Sequence, residues 1–382
     1  MYRIGFDAKR LFNNFTGLGN YSRTLVQNLA NYFPENDYYL FTPKVVKNGE
    51  TQFFLNSPLF TVQQPRHGWP AWWRTAGIKK DLRKHHIQLF HGLSHEIPVG
   101  IRKTGIKSVV TIHDLLFRRF TGQYNAADRY IYDLKFRYAC RNADRIIAIS
   151  EATKADIIND YEIPEEKIRV VYQSCNERFM QERSNRTIDQ MLAKYNLPKD
   201  YLLYVGAIVE RKNLLGVVKA LEILPASVDL PLVVVGRGGQ YEMQVKNYLS
   251  AANLAGRVLF IRPDFADLPP LYQQADVFVY PSFGEGFGIP ILEALFSETP
   301  VVTSNLSSLP EAAGPHSCLI DPASPEAIAA GIEKVLTDSD YRSTMIREGY
   351  QYAQRFKGEP LTRQLMGIYD RILGGDAARL RS

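Results

Sequence analysis

The chain has 382 residues, enough for two domains that each bury a core, and its 45% apolar and 23% charged content is that of a globular enzyme. A net charge of +6 suits an anionic substrate or a membrane surface and is too small by itself to argue for nucleic acid. Cys140, Cys175 and Cys318 are scattered without C-x-x-C spacing, which speaks against a disulfide framework or a zinc site, and no apolar run approaches the ~20 residues of a membrane span.

Tyr2–Asp7 reads as a strand that follows directly on Met1, with no secretory leader, so a cytosolic protein is expected, peripheral to a membrane at most. The loop Ala8–Gly19 then opens a helix over Tyr21–Tyr32, and Gly17 and Gly19 at this junction are candidates for an anion cradle. Strands are expected at Tyr38–Phe41 and Phe60–Val62. Residues 69–86 hold Trp69, Trp72 and Trp73 ahead of a helix with Ile78 and Leu82 on one side and Lys79, Lys80, Arg83 and Lys84 around it. Such a segment either meets a membrane interface or docks on the sheet by its tryptophans, and the second reading is preferred, because the segment is short and carries Asp81.

Leu89–Gly92 and Lys107–Ile112 read as parallel strands that end near His91 and His113. In open α/β sheets ligands collect outside the carboxyl ends of strands, so both histidines are candidates, although His91 serves equally well as a hydrogen-bonded structural residue. Asp114 is expected to cap or orient a neighbour. A helix over Tyr130–Asn142, a strand over 143–150 and a second helix capped by Ser150 follow, and residues 168–179 close the first domain. Tyr201–Val205 opens the second. Arg211 and Lys212 fall in its first strand-to-helix loop, where two fixed cations can neutralise a diphosphate, and Asn213 starts the next helix. Leu232–Val235 runs into a glycine turn whose spacing does not match a dinucleotide fingerprint.

The most informative stretch is Ser282–Ser304. It is flanked by strands at Val277–Tyr280 and Pro300–Thr303, and its Ile289–Phe296 segment is a helix apolar over most of its surface, which makes a βαβ unit. Gly284, Gly286 and Gly288 allow close backbone approach, and the helix start favours an anion. Glu285 and Glu293 frame the turn too far apart along the axis to act on one atom, so they suit the two ends of an elongated ligand with a negative middle. A sugar, a diphosphate and a ribose in line fit that description.

Glu285, seven residues and Glu293, set within GEGFGIPILEA, resemble the E-x7-E signature of retaining GT-B glycosyltransferases of family 4, and ERKN at 210–213, TIHDLLF at 111–117 and SNLSSLP at 304–310 resemble further segments of that family. The resemblance implies an α/β, GT-B chain of two Rossmann-like domains facing a cleft. It assigns residues 1–177 to an acceptor-side domain, with a C-terminal helix over about 356–376 returning to it, and residues 178–355 to a nucleotide-sugar domain. It also implies the site roles. Arg211, Lys212 and the turn Gly286, Phe287 and Gly288 would face the leaving diphosphate. Glu285 would bind sugar hydroxyls, Glu293 the ribose, and Ile261 would edge the base. His113 would lie against the sugar, and Gly17 and Gly19 would help position the donor or acceptor. One departure is Ala207 directly after Gly206, where several members carry arginine, which throws more charge neutralisation onto Arg211 and Lys212.

The implied activity is retaining transfer of a hexose, first of all mannose from GDP-mannose, to a glycan or polyprenyl-diphosphate-linked glycan in surface polysaccharide synthesis. No metal and no further cofactor are expected, since there is no D-x-D on a suitable loop and no His/Cys cluster. A UDP-hexose transferase of the same fold is the alternative. A non-catalytic sugar-nucleotide-binding protein ranks below it, and a nucleic-acid-associated protein lower still. The tail from Gly374 on is expected to be loose.

Overall fold

A computed structural model describes residues 1–65 and 69–374. Runs such as Leu89–Gly92, Leu202–Val205, Leu232–Val235 and Val277–Tyr280 are buried at every position. Strands buried on both faces need helices above and below, which is the condition for parallel sheets. Two such sheets form. In the first, β1 (Arg3–Asp7), β2 (Asp37–Phe41), β3 (Phe60–Gln63), β4 (Leu89–Gly92), β5 (Lys107–Ile112), β6 (Arg145–Ala148) and β7 (Ile168–Val170) lie in the order β3-β2-β1-β4-β5-β6-β7. In the second, β8 (Leu202–Val205), β9 (Leu232–Val235), β10 (Val258–Ile261), β11 (Val277–Tyr280), β12 (Val301–Ser304) and β13 (Cys318–Ile320) lie in the order β10-β9-β8-β11-β12-β13.

Every pairing is parallel, with Ile4 opposite both Tyr38 and Leu89 in the first sheet and Leu203 opposite both Val233 and Phe278 in the second. Strand order reverses between β1 and β4 and again between β8 and β11. These are the switch points of two doubly wound sheets, where the connecting loops part and leave room for a ligand.

The chain divides into two compact units, one of Met1–Ser174 together with the segment from Gly358, the other of Cys175–Lys357. In the first unit the terminal helix Gly358–Leu373 buries Leu365, Met366, Ile368 and Tyr369 in the same core as Ile4, Val26, Leu29 and Leu89. The expected last residues of that helix, and the tail beyond Gly374, lie outside the described residues. Among the described residues no helix is long and apolar enough to cross a membrane.

The tryptophan segment differs from the docked helix expected of it. A short turn at Pro70–Trp72 widens into a π-type turn at Trp73–Gly77 before the helix Ile78–Lys84. Trp73 is buried and its Nε1 donates to Asp81 Oδ2 at 2.7 Å, whereas Trp69 and Trp72 remain 83% and 63% exposed. One ring anchors the segment and two do not, because the wide turn sends successive rings to different sides.

Leu365 is almost fully buried on the terminal helix. Leu365→Ala is expected to destabilise the first unit by about 2–5 kcal/mol, the usual cost of a leucine-sized cavity. A fall in the thermal or denaturant midpoint, measured alongside a surface control such as Glu359→Ala, checks this.

Candidate active site

The second unit gathers its charged residues at its switch point. The loop after β8 delivers Arg211 and Lys212, and the loop after β11 delivers Ser282 and Glu285. Backbone and side chain tie the two loops together: Phe283 N donates to Arg211 O at 2.8 Å, and an Arg211 guanidinium N–H donates to Gly284 O. Lys212 Nζ stands 2.7 Å and Arg211 Nη1 2.9 Å from Glu285 Oε1. The hydroxyls of Ser282 and Tyr280 donate to that same oxygen at 2.7 and 2.9 Å. Oε2 takes none of these contacts.

All three charged side chains are about seven-eighths buried. Burial works to raise the Glu285 carboxyl, but Lys212 and Arg211 outweigh it and hold the group at about 2. Burial also pushes the Lys212 ammonium below its ordinary value, with Arg211 adding to this and Glu285 opposing it. Gly206 makes room for this lysine, since a Cβ there would stand 3.2 Å from Lys212 Cδ.

The glycine turn is held by its neighbour loop. Ser307 and Ser308 donate to Glu285 O at 2.9 and 2.8 Å, and Ser308 also donates to Phe287 O at 2.9 Å. Gly288 caps the helix Ile289–Phe296 with φ +130°, a conformation that requires glycine. The helix start is a poorer anion cradle than its sequence suggests, because Pro290 has no N–H and Ile291 N already donates to Gly288 O. The Phe287 ring is buried against Phe356 and can serve a ligand only through its backbone.

Glu293 Oε2 accepts from the Tyr272 hydroxyl at 2.9 Å. Burial raises its carboxyl to about 7, against the opposing effect of that hydrogen bond. Ile261 ends the edge strand β10, two strands from β8, half-buried.

The other expected residues sit in the first unit. His113 is buried, its Nε2 2.9 Å from Leu93 O and its Nδ1 3.2 Å from Gln173 Nε2. The carbonyl fixes the proton on Nε2, so Nδ1 is an acceptor now occupied by Gln173. Burial lowers this ring to about 4, and it stays neutral. His91 takes the structural role, with Nδ1 2.6 Å from the Tyr369 hydroxyl and Nε2 2.8 Å from Thr111 Oγ1. Asp114 Oδ1 accepts from Leu116 N and so caps a turn.

Gly19 is not an open anion cradle. Its N–H donates to Asn14 Oδ1 at 3.0 Å, and a Cβ would meet Asn14 O at 1.7 Å, so its role is close chain packing. Gly17, two residues ahead, is exposed. Sequence reasoning missed Tyr280 and Ser282 as partners of Glu285, Gln173 as partner of His113, and His95. The His95 ring stacks on Phe136 at 4.1 Å and meets His113 edge-on at 5.1 Å, with φ +63° and a buried Nδ1 that has no hydrogen-bond partner. The only sequence signal for it was its place four residues after His91.

The profile of the glycosyl transferases group 1 matches residues 187–352, and that of glycosyltransferase family 4 matches residues 16–177. O-antigen chain mannosyltransferase B of Escherichia coli is 30% identical over 96% of this chain and 99% of its own. This chain is a group 1 glycosyltransferase. O-antigen chain mannosyltransferase RfbU of Salmonella typhimurium is 28% identical over 72% of the chain and 70% of its own. The fold matches the solved structure of Anabaena HepE in complex with UDP and glucose, with a TM-score of 0.76 over 97% of the chain and all of HepE at 17% identity. The glycosyltransferase therefore has the GT-B fold, and its charged constellation lies where that fold's second sheet reverses order.

The two glutamates titrate with opposite signs. Glu293 keeps its proton in the folded chain up to about pH 7, whereas an unfolded glutamate loses it near 4.5, so stability falls as pH rises between these values and is level above. Glu285 behaves in reverse: its contribution is complete above about pH 4.5 and is lost as pH falls towards 2. Midpoint-against-pH curves for Glu293→Gln should lack the decline from pH 5 to 7, and an unchanged slope contradicts the assignment.

Proposed function

We propose that this glycosyltransferase moves a mannosyl residue, with retention at the anomeric carbon, from GDP-mannose to a hydroxyl of a glycan or lipid-linked glycan during surface polysaccharide synthesis. The observation that carries the transferase chemistry is the pair Arg211 and Lys212 sharing one carboxylate oxygen at the second switch point. Two cations against one carboxylate leave one positive charge in a largely buried site, which is suited to an incoming diphosphate. The mannosyl assignment draws on the likeness to the E. coli and Salmonella O-antigen mannosyltransferases. The HepE complex favours UDP and glucose as the second reading.

In this reading the bond from the anomeric carbon to the diphosphate breaks with its electron pair on the leaving oxygen, the acceptor hydroxyl oxygen bonds to that carbon from the same face, and the hydroxyl proton passes to the departing diphosphate. Arg211 and Lys212 stabilise that charge, and it grows most in the transition state, so their contribution falls on kcat. Glu285, oriented through Oε1 by four donors, offers Oε2 to sugar hydroxyls. Glu293 accepts from the ribose hydroxyls once it is ionised. His113 accepts a sugar hydroxyl at Nδ1 after Gln173 gives way. The two cationic side chains take the part a divalent ion plays in other transferases, and the acceptor lies on the side of the first unit.

Lys212→Ala is expected to lower kcat about 10²–10³-fold, the usual effect of losing one transition-state charge partner, with the fold intact by circular dichroism. Glu285→Gln should lower transfer as strongly while keeping donor binding measurable. Near-normal turnover in both rejects the site. EDTA is expected to leave the rate unchanged, and abolition by chelator rejects the metal-free reading. A thermal-shift comparison of GDP, UDP, ADP and dTDP sugars decides the donor, and stabilisation by UDP sugars alone selects the second reading.

A further inference from the structure

The first unit has a switch point of its own, between β1 and β4, and none of the groups discussed above fills it. There a cavity of about 200 Å³ opens beside the carboxyl ends of these strands. Its walls are Phe90, Ile97, Pro98, Val99 and Leu134, so its lining is chiefly apolar. Its polar end is a closed ion cluster: Arg74 donates to Asp7 at 2.5 to 3.1 Å and to Glu96 at 2.9 Å, and Lys135 lies 3.3 Å from Glu96.

This cluster satisfies itself, so it offers a ligand little that a sugar hydroxyl would need. The mouth is different. Val99 and Leu134 are 46% and 50% exposed although they line the cavity. Lys79 Nζ donates to Val99 O at 2.6 Å, which sets one ammonium at the rim, and Lys135, 43% exposed, sets another. The apolar surface continues outward on both flanking segments, through Ile131 and Tyr130 on the helix that carries Leu134 and through Trp72 on the segment that carries Arg74.

An apolar pocket with cations at its mouth fits an amphiphile with an anionic head and a hydrocarbon body. We propose that this cavity receives the proximal isoprene units of a prenyl-diphosphate-linked acceptor, with the diphosphate held between Lys79 and Lys135. The inference rests on the lipid-linked acceptor named above and gives that acceptor a location. Net charge at the mouth supports the anionic head. With Lys79 counted, the cations Arg74, Lys135 and Lys79 stand against the two carboxylates Asp7 and Glu96. The exposed rings of Trp72 and Tyr130 would cover chain that leaves the pocket.

The test uses the full chain and farnesyl diphosphate below its micelle threshold, with binding read by calorimetry. Wild-type protein is expected to bind it. Leu134→Asn, an exposed and uncharged substitution that should not disturb folding, is expected to weaken binding at least tenfold and to leave inorganic diphosphate binding unchanged. The Lys79→Gln, Lys135→Gln double variant should weaken farnesyl diphosphate several-fold while sparing farnesol. Equal binding by wild type and Leu134→Asn overturns the proposal, as does no binding by wild type. So does capture of phosphatidylglycerol vesicles without farnesyl diphosphate binding, which would make the face a general membrane contact. Calorimetry needs no turnover, so a wrong donor assignment leaves these results standing, and mannosyl transfer without prenyl binding overturns the cavity alone.

Discussion

One carboxylate oxygen organises the second unit. Glu285 Oε1 takes four donors, three from two loops and one from Tyr280 at the end of β11, and it stands between two buried cations. Removing it would leave Arg211 and Lys212 in a largely dry site facing each other, a far greater cost than the pair returns in net stability. The glycines follow from this. Gly206 must lack a Cβ for Lys212 to pass, and Gly288 must turn with positive φ so that the chain leaves Glu285 and enters its helix at once. Ser307 and Ser308 hold the Glu285 carbonyl and so fix the backbone from which the side chain springs.

Much of this was legible in the sequence because it is written locally. Parallel strands buried on both faces appear as unbroken apolar runs, and Leu89–Gly92, Lys107–Ile112 and Val277–Tyr280 match their expected bounds residue for residue. Ser150 and Asn213 cap their helices as their types predict, each accepting from an N–H three residues on. The E-x7-E spacing, too, lies within one turn and one helix. What escaped depends on partners far away in sequence. His113 is bound by Leu93 and Gln173, 20 and 60 residues distant, and no local pattern announces either. Tyr280 looked like a core strand residue, yet its hydroxyl reaches Glu285. Gly19 looked like a phosphate loop and is instead a close packing contact with Asn14. A glycine pair at a strand end reports that two backbones or a backbone and a ligand come close, and it does not say which.

The two sheets repeat one topology and furnish it differently. At the second switch point the charged groups leave a surplus of one cation, which favours a small, highly charged ligand. At the first, Arg74 is matched by Asp7 and Glu96, and the adjoining space is walled by aliphatic and aromatic carbon. Inside that space Arg74 is spent on its two carboxylates, so the interior suits carbon and would leave the charge of a nucleotide diphosphate unpaired. Identical architecture thus separates two ligand chemistries by local charge alone.

The first unit keeps three buried imidazoles uncharged. Burial lowers His91 to about 3 and His113 to about 4, and it pushes His95 well below the ordinary range. Their partners are fixed in turn: Tyr21 packs edge-on against His113 at 4.6 Å and bonds Thr111, which bonds His91, which bonds Tyr369 of the terminal helix. The terminal helix thereby reaches the neighbourhood of His113 through four side chains and no ionic contact. A neutral imidazole can accept from or donate to a hydroxyl, whereas it offers a diphosphate no charge. The second unit thus holds its buried polar groups by fixed charge, and the first unit holds its histidines by neutral hydrogen bonds.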